Sequence, residues 1–211
     1  MRQILVFFLW SVLSAGEPGA RLTPSEALNK LIAGNIRAME EKVEHPNYFQ
    51  ESKMQALAEK QEPFAVIVAC SDSRVSPEIL FDQGIGDLFV VRVAGNVVGD
   101  IELESIHYAV TQLKTSIILV MGHENCGAVS AVLNKTDQTI PEIAALIRPA
   151  IEISKKEQGN PLQNAVEANV KLVVGQLKAK DFIKELVEKK ELDVVGSYYY
   201  LQNGSVRLLV D

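Results

Sequence analysis

The stretch Phe64-Ala65-Val66-Ile67-Val68-Ala69 runs directly into Cys70-Ser71-Asp72-Ser73-Arg74, and Ser116-Ile117-Ile118-Leu119-Val120-Met121-Gly122 runs into His123-Glu124-Asn125-Cys126-Gly127. Unbroken apolar runs rich in Val and Ile read as strands buried on both faces of a parallel sheet. Residues at the carboxyl ends of two such strands meet in the crevice where α/β sheets carry their sites. The chain owns two cysteines and three histidines, and both cysteines and one histidine fall at these two ends. Two thiolates and an imidazole suit zinc, and three protein ligands leave a fourth tetrahedral position open. Asp72 and Arg74, two and four residues after the first cysteine, are equipped to act on a molecule held at that open position. Two other readings stand beside this one. Cys70 can be a buried free thiol near an unrelated histidine, or it can form a disulfide with Cys126. The disulfide leaves His123, Asp72 and Arg74 without a task.

Outward from these runs the alternation continues. Ser76-Pro77-Glu78 opens a short helix, Leu88-Phe89-Val90-Val91-Arg92-Val93 reads as a strand, and Ala94-Gly95-Asn96 as a loop. Asp100 is expected to cap a helix running to about residue 113, with Ile106, Ala109, Val110 and Leu113 on its apolar side. A helix starts at Gly127-Ala128, directly after the second cysteine, so its first N–H groups face the site. Beyond Pro141 the pattern is helical to about residue 190, with a break at Gly159-Asn160-Pro161. Two last strand-like runs flank Gln202-Asn203-Gly204, and Asn-Gly is a strong hairpin signal.

Ahead of the first strand, Thr23-Pro24-Ser25-Glu26 is a capping box with proline at the first helical position. Leu28, Leu31, Ile32, Ile36 and Met39 follow at helical spacing. A second helix is expected over about residues 48–60. Two helices before the first strand do not fit a simple alternating wind and suit an arm laid over a partner subunit.

The net charge of −6 argues against nucleic acid or an anionic membrane surface as partner. Arg2, the apolar run 4–13 and the small residues Ser14, Ala15 and Gly16 describe a secretory signal peptide over residues 1–20. The run is about half the ~20 residues needed to span a bilayer. The expected mature protein, residues 21–211, therefore has one domain, no membrane span and a periplasmic or secreted location.

With these motifs in place the chain resembles the β-class carbonic anhydrases, whose zinc motifs are Cys-x-Asp-Ser-Arg after one apolar strand and Gly-His-x-x-Cys-Gly after another. The similarity runs from about Gln61 to Leu133, and more loosely over the Thr23 helix and the closing hairpin. The resemblance implies an α/β fold: a mainly parallel four-stranded sheet with an antiparallel fifth strand, helices on both faces, and an N-terminal helical arm exchanged in a dimer or higher homo-oligomer. It implies one Zn2+ per chain on Cys70, His123 and Cys126, with Asp72 and Arg74 as the catalytic dyad. The reaction implied is reversible hydration of carbon dioxide to bicarbonate and a proton. Gln61, Phe89 and Tyr108 fall on pocket positions of the subgroup resembling plant enzymes, and the Gly127 N–H joins Gln61 as a stabiliser of the developing bicarbonate.

Two positions depart from subgroup patterns. Ile67 stands where members with a non-catalytic bicarbonate site carry Trp, so Arg92 is not assigned to such a site. Gln112 stands where some members carry a proton-shuttling His, which leaves His107 and His45 as candidates by elimination. Asp72 is also close enough in sequence to Cys70 to become a fourth metal ligand if its contact with Arg74 breaks. The ligands alone do not separate this reaction from hydrolysis of carbonyl sulfide or carbon disulfide on the same fold. A non-catalytic zinc or disulfide protein is the reading from a different class.

Overall fold

The computed structural model describes residues 21–45 and 51–209. Five strands form one sheet in the order β2-β1-β3-β4-β5, made of β1 (Ala65–Ala69), β2 (Leu88–Arg92), β3 (Ile117–His123), β4 (Asp193–Tyr199) and β5 (Val206–Leu209). The first four run parallel and β5 pairs antiparallel with β4. β1 and β3 are buried at every position, as their unbroken apolar sequences require. The chain leaves β1 for one neighbour and returns on the other side as β3. The carboxyl ends of β1 and β3 therefore flank the point where the strand order reverses, and Cys70 and His123 stand there.

The two faces are covered unequally. Alternate residues of β1, Val66 and Val68, pack with Cys70 against Ile106 and Val110 of α4 (Asp100–Thr111), Val129 of α5 (Gly127–Leu133), Ile147 of α6 (Pro141–Ser154), Val170 of α7 (Pro161–Lys178) and Ile183 of α8 (Asp181–Glu188). Ala65, Ile67 and Ala69 face the other way, onto Ala27 and Leu31 of α1 (Pro24–Met39) and onto Phe81, just after α3 (Pro77–Leu80). At α1 the Thr23 hydroxyl accepts from the Glu26 N–H at 3.3 Å and the Glu26 carboxylate accepts from the Thr23 N–H at 2.8 Å, the capping box read from the sequence. Gly34 lets this helix touch the end of α3, because a Cβ there would stand 1.8 Å from the Phe81 carbonyl oxygen.

Several expectations are corrected. Asp100 is the first residue of α4, not its cap; Gly99 is the cap, and its N–H is satisfied by the Glu102 carboxylate at 2.9 Å. The helix stops at Thr111, two residues early. The second helix, α2, is Glu51–Glu59, and the part expected over residues 48–50 lies outside the described residues. The long C-terminal helical stretch breaks a second time, between Lys178 and Asp181. Asn203-Gly204 does not form a two-residue hairpin turn. The loop is wider: the Gly204 N–H bonds the Tyr200 carbonyl, the Tyr200 N–H bonds the Ser205 carbonyl, and Gly204 takes φ 76°. Residues 1–20, where the signal peptide is expected, lie outside the described residues. No described helix is long and apolar enough to cross a membrane.

Candidate metal centre

The strand ends bring Cys70, His123 and Cys126 together, all buried, with their ligand atoms within 4.8 Å of one another. Both cysteines are free, so the disulfide alternative is not the state of this structure. The His123 Nδ1–H is directed at the Glu124 carbonyl at 2.9 Å, which fixes the tautomer and turns the Nε2 lone pair inward. Nε2 is buried and has no hydrogen-bond partner among the described residues. A buried imidazole nitrogen aimed at two sulfurs is a costly arrangement for a core and a natural one for a metal ligand. Tetrahedral zinc, with bonds of about 2.0–2.3 Å, needs ligand atoms roughly 3.5–3.8 Å apart. The group fits that need with small adjustments.

The electrostatics favour loss of one thiol proton and retention of the other. The Cys70 thiol is pushed well down, first by the hydrogen bond it receives from Cys126, against the opposing effect of burial, with smaller help from His123 and the Gly95 and Asp72 amides. Cys126 is pushed up, because it is the donor to Cys70 and is itself buried. One proton is thus held between two sulfurs, and an entering cation replaces it. Cys126 caps α5, whose Ala128 and Val129 amides are oriented to favour its thiolate.

Asp72 lies at the rim. Its Oδ1 accepts from the Arg74 Nε and N–H at 2.9 and 3.0 Å, and its Oδ2 accepts from Arg74 Nη2 at 2.7 Å. The Arg74 fork holds this carboxyl far below the usual carboxylate range, so it is ionised at any ordinary pH. Oδ2 stands 3.9 Å from His123 Nε2. Asp72 therefore faces the centre while Arg74 keeps it off the ligand set.

Residues 65–206, more than half of the 211-residue chain, match the family described as Carbonic anhydrase. A carbonic anhydrase of Mycolicibacterium smegmatis is 37% identical over 192 residues, covering 88% of this chain and 93% of that one. This chain belongs to the β-class carbonic anhydrases. Among solved structures, a Coccomyxa β-carbonic anhydrase in complex with acetazolamide is 29% identical with a TM-score of 0.67, covering 91% of this chain and 87% of that one. One of two tetrameric β-carbonic anhydrases from Sordaria macrospora is 25% identical with a TM-score of 0.65, covering 75% and 86%.

Against this family frame the expected pocket residues divide. Gly127 opens α5 beside Cys126, and a Cβ there would meet nothing within 4 Å, so the space on its side-chain side is open. Gln61 is exposed and precedes the amino end of β1, whereas Cys70 follows the carboxyl end. Phe89 is level with Val66 in the sheet, four positions before Cys70 and so roughly 13 Å from it along the strand. It neighbours Tyr108, ring centroids 6.3 Å apart, and Tyr108 is 48% exposed. A single chain does not bring these three residues to its own Cys-His-Cys group. The histidines considered by elimination are engaged elsewhere: His45 with Asp82 at 3.3 Å, and His107 stacked on Phe182 at 4.2 Å.

Three residues make contacts at the centre that have no local signature in the sequence. Arg92, unassigned above, donates from Nε to the Cys70 carbonyl at 3.1 Å and from Nη2 to the Asp72 carbonyl at 2.7 Å. It thereby fixes the loop that carries the dyad. The Gly95 N–H donates to the Cys70 sulfur at 3.2 Å, and Asn169 holds the Gly95 carbonyl at 2.8 Å. Gly95 takes φ 73°, and the glycine itself in the Ala94-Gly95-Asn96 loop is the hint the sequence offers.

Proposed function

We propose that this chain catalyses the zinc-dependent, reversible hydration of carbon dioxide to bicarbonate and a proton, with one zinc per chain held by Cys70, His123 and Cys126. The observation that carries the proposal is the buried three-ligand group at the strand-order reversal, with an ionised carboxylate fixed beside it. Zinc on such ligands acidifies water and so supplies a nucleophile near neutral pH. The residues do the rest. Asp72, held by the Arg74 fork, accepts a hydrogen bond from the attacking water and leaves its reactive lone pair toward carbon dioxide. Arg74 cannot be deprotonated, so its fork stays charged and able to hold Asp72 across the working pH range. As the carbon–oxygen bond forms, charge moves onto the substrate oxygens, and the Gly127 amide at the start of α5 is placed to stabilise it.

Gln61 on a neighbouring subunit completes the pocket in this reading, because Gln61 of the same chain is at the wrong end of β1. Phe89 and Tyr108, a half-exposed aromatic pair, supply apolar lining at the same contact, following the plant-type pattern. The active unit is therefore at least a homodimer. The signal-like residues 1–20 support export to a periplasm or the exterior. Stopped-flow carbon dioxide hydration on purified zinc-loaded protein is the test. Rapid hydration that disappears when a chelator removes the zinc is the expected result. Zinc-loaded oligomer without hydration activity would sink the proposal.

A further inference from the structure

Asn169 lies in the middle of α7, 74 residues in sequence from the turn it touches, and is completely buried. Its Nδ2 donates to the Gly95 carbonyl at 2.8 Å, while its Oδ1 has no partner among the described residues. A core position needing only volume is better served by leucine, since burying an amide with an unpaired oxygen is costly. The amide is therefore there for its donor.

The backbone on both sides is shaped for that contact. α7 sits unusually close to the sheet: a Cβ on Gly122, the residue before His123, would stand 2.6 Å from Val166 Cγ1 and 2.7 Å from Val170 Cγ2. A Cβ on Gly196 would stand 2.9 Å from Val170 Cγ1. These glycines let the turn of α7 carrying Asn169 seat deeply. Gly95 takes φ 73° and ψ 17°, and a Cβ there would meet Ile147 Cδ1 at 2.8 Å. In this conformation its carbonyl faces Asn169 while its N–H points to Cys70 Sγ at 3.2 Å.

We propose that Asn169 is a positioning residue of the metal centre: by gripping the Gly95 carbonyl it holds the Gly95 amide on the Cys70 sulfur. The inference rests on the zinc reading above. An N–H bond to a ligating thiolate draws electron density from sulfur and fixes the direction of its lone pairs. Without the grip, the Gly95 turn moves off the sulfur and Cys70 loses that backbone donor. Partners of this outer kind typically govern about 10–100-fold in metal affinity or activity.

The test loads wild-type protein and Asn169→Leu with the spin-half cadmium isotope and follows amide protons by NMR, with competitive zinc titration alongside. In the wild type the Gly95 amide proton should show scalar coupling to cadmium through the Cys70 sulfur. In folded Asn169→Leu that coupling should vanish and zinc affinity should fall about tenfold. A purely structural Asn169 would lower the melting temperature and leave the coupling intact, which overturns the proposal. If Asn169→Leu does not fold, the wild-type spectrum decides: coupling at Gly95 together with slow exchange of the Asn169 side-chain amide supports the assignment, and its absence refutes it. Wild-type protein that takes up no metal overturns the zinc reading and this inference together. Normal loading with unchanged coupling in the variant overturns this inference alone.

Discussion

Two aspartates ten residues apart, Asp72 and Asp82, are each paired with an arginine, and they do opposite things. The Asp82 side chain is fully buried. It accepts from Arg37 Nε at 2.6 Å, from the Glu44 N–H at 3.0 Å, from the His45 N–H at 3.0 Å, and lies 3.3 Å from His45 Nδ1. Every lone pair is committed, to donors 37 to 45 residues away, so the carboxylate ties the end of α1 and the chain after it to the turn after α3. Asp72 keeps 17% of its side chain exposed and takes its donors from Arg74, two residues on. That local grip leaves one edge facing His123. A carboxylate saturated by distant donors is a clamp; one held by a neighbour, with an edge left over, is available for chemistry.

The sharpest way to break this contrast is to remove the clamp. Asp82→Ala leaves the Arg37 guanidinium and two backbone amides without their acceptor, at a cost of about 3–5 kcal/mol. Calorimetry should show the melting temperature falling by about 10 °C, with carbon dioxide hydration per zinc-loaded molecule unchanged. A shift under about 2 °C would remove the distinction.

Asp72→Asn should behave in the reverse manner. The amide keeps the shape but turns half of the acceptor into a donor, so hydration should fall by about 10²–10³-fold while zinc content and melting temperature hold. Activity within twofold of wild type would make Asp72 a second clamp. A milder probe compares the arginines. Arg74→Lys retains charge and loses the fork, and activity should drop by about tenfold; Arg37→Lys should alter stability only. Equal effects on activity would contradict the division.

The smallest effect is on acid stability. Burial alone would raise the Asp82 carboxyl, but the Glu44 amide, Arg37 and the His45 amide outweigh it, and the net shift is downward. A carboxyl depressed on folding contributes stability that is complete above its unfolded value of about 3.9 and is lost as pH falls through the folded value. Urea unfolding should therefore give a difference between wild type and Asp82→Asn that is constant above about pH 5 and shrinks below about pH 4. A difference that grows in acid would reverse the assigned sign.

The difference between the two aspartates also explains what the sequence could disclose. Asp72 announces itself because its partners are within a few residues and follow an apolar strand. The candidate ligand group Cys70, His123 and Cys126 was legible for the same reason, as were the two buried strands and the capping box at Thr23. Asp82 carried no signal, since Arg37 and His45 are brought to it only by the packing of α1. Arg92, Gly95 and Asn169 were hidden in the same way: each reaches a distant segment through a backbone group, its own or its partner's, and no spacing rule reports that. The misplaced cap at Asp100 came from reading one residue where Gly99 and Glu102 act together. The Asn203-Gly204 signal found the hairpin but not its width, which the Tyr200–Ser205 bond sets. Gln61, Phe89 and Tyr108 could be named from the resemblance, yet their separation from the centre emerges only when the strand direction is known.

The central claim is that both cysteines and His123 hold the working metal, and X-ray absorption at the zinc edge tests it most directly. The protein as purified should contain one zinc per chain, with two sulfur neighbours at about 2.3 Å and two lighter neighbours at about 2.0–2.2 Å. A preparation without zinc whose two cysteines are joined as a disulfide, or a zinc shell lacking two sulfurs, would contradict it.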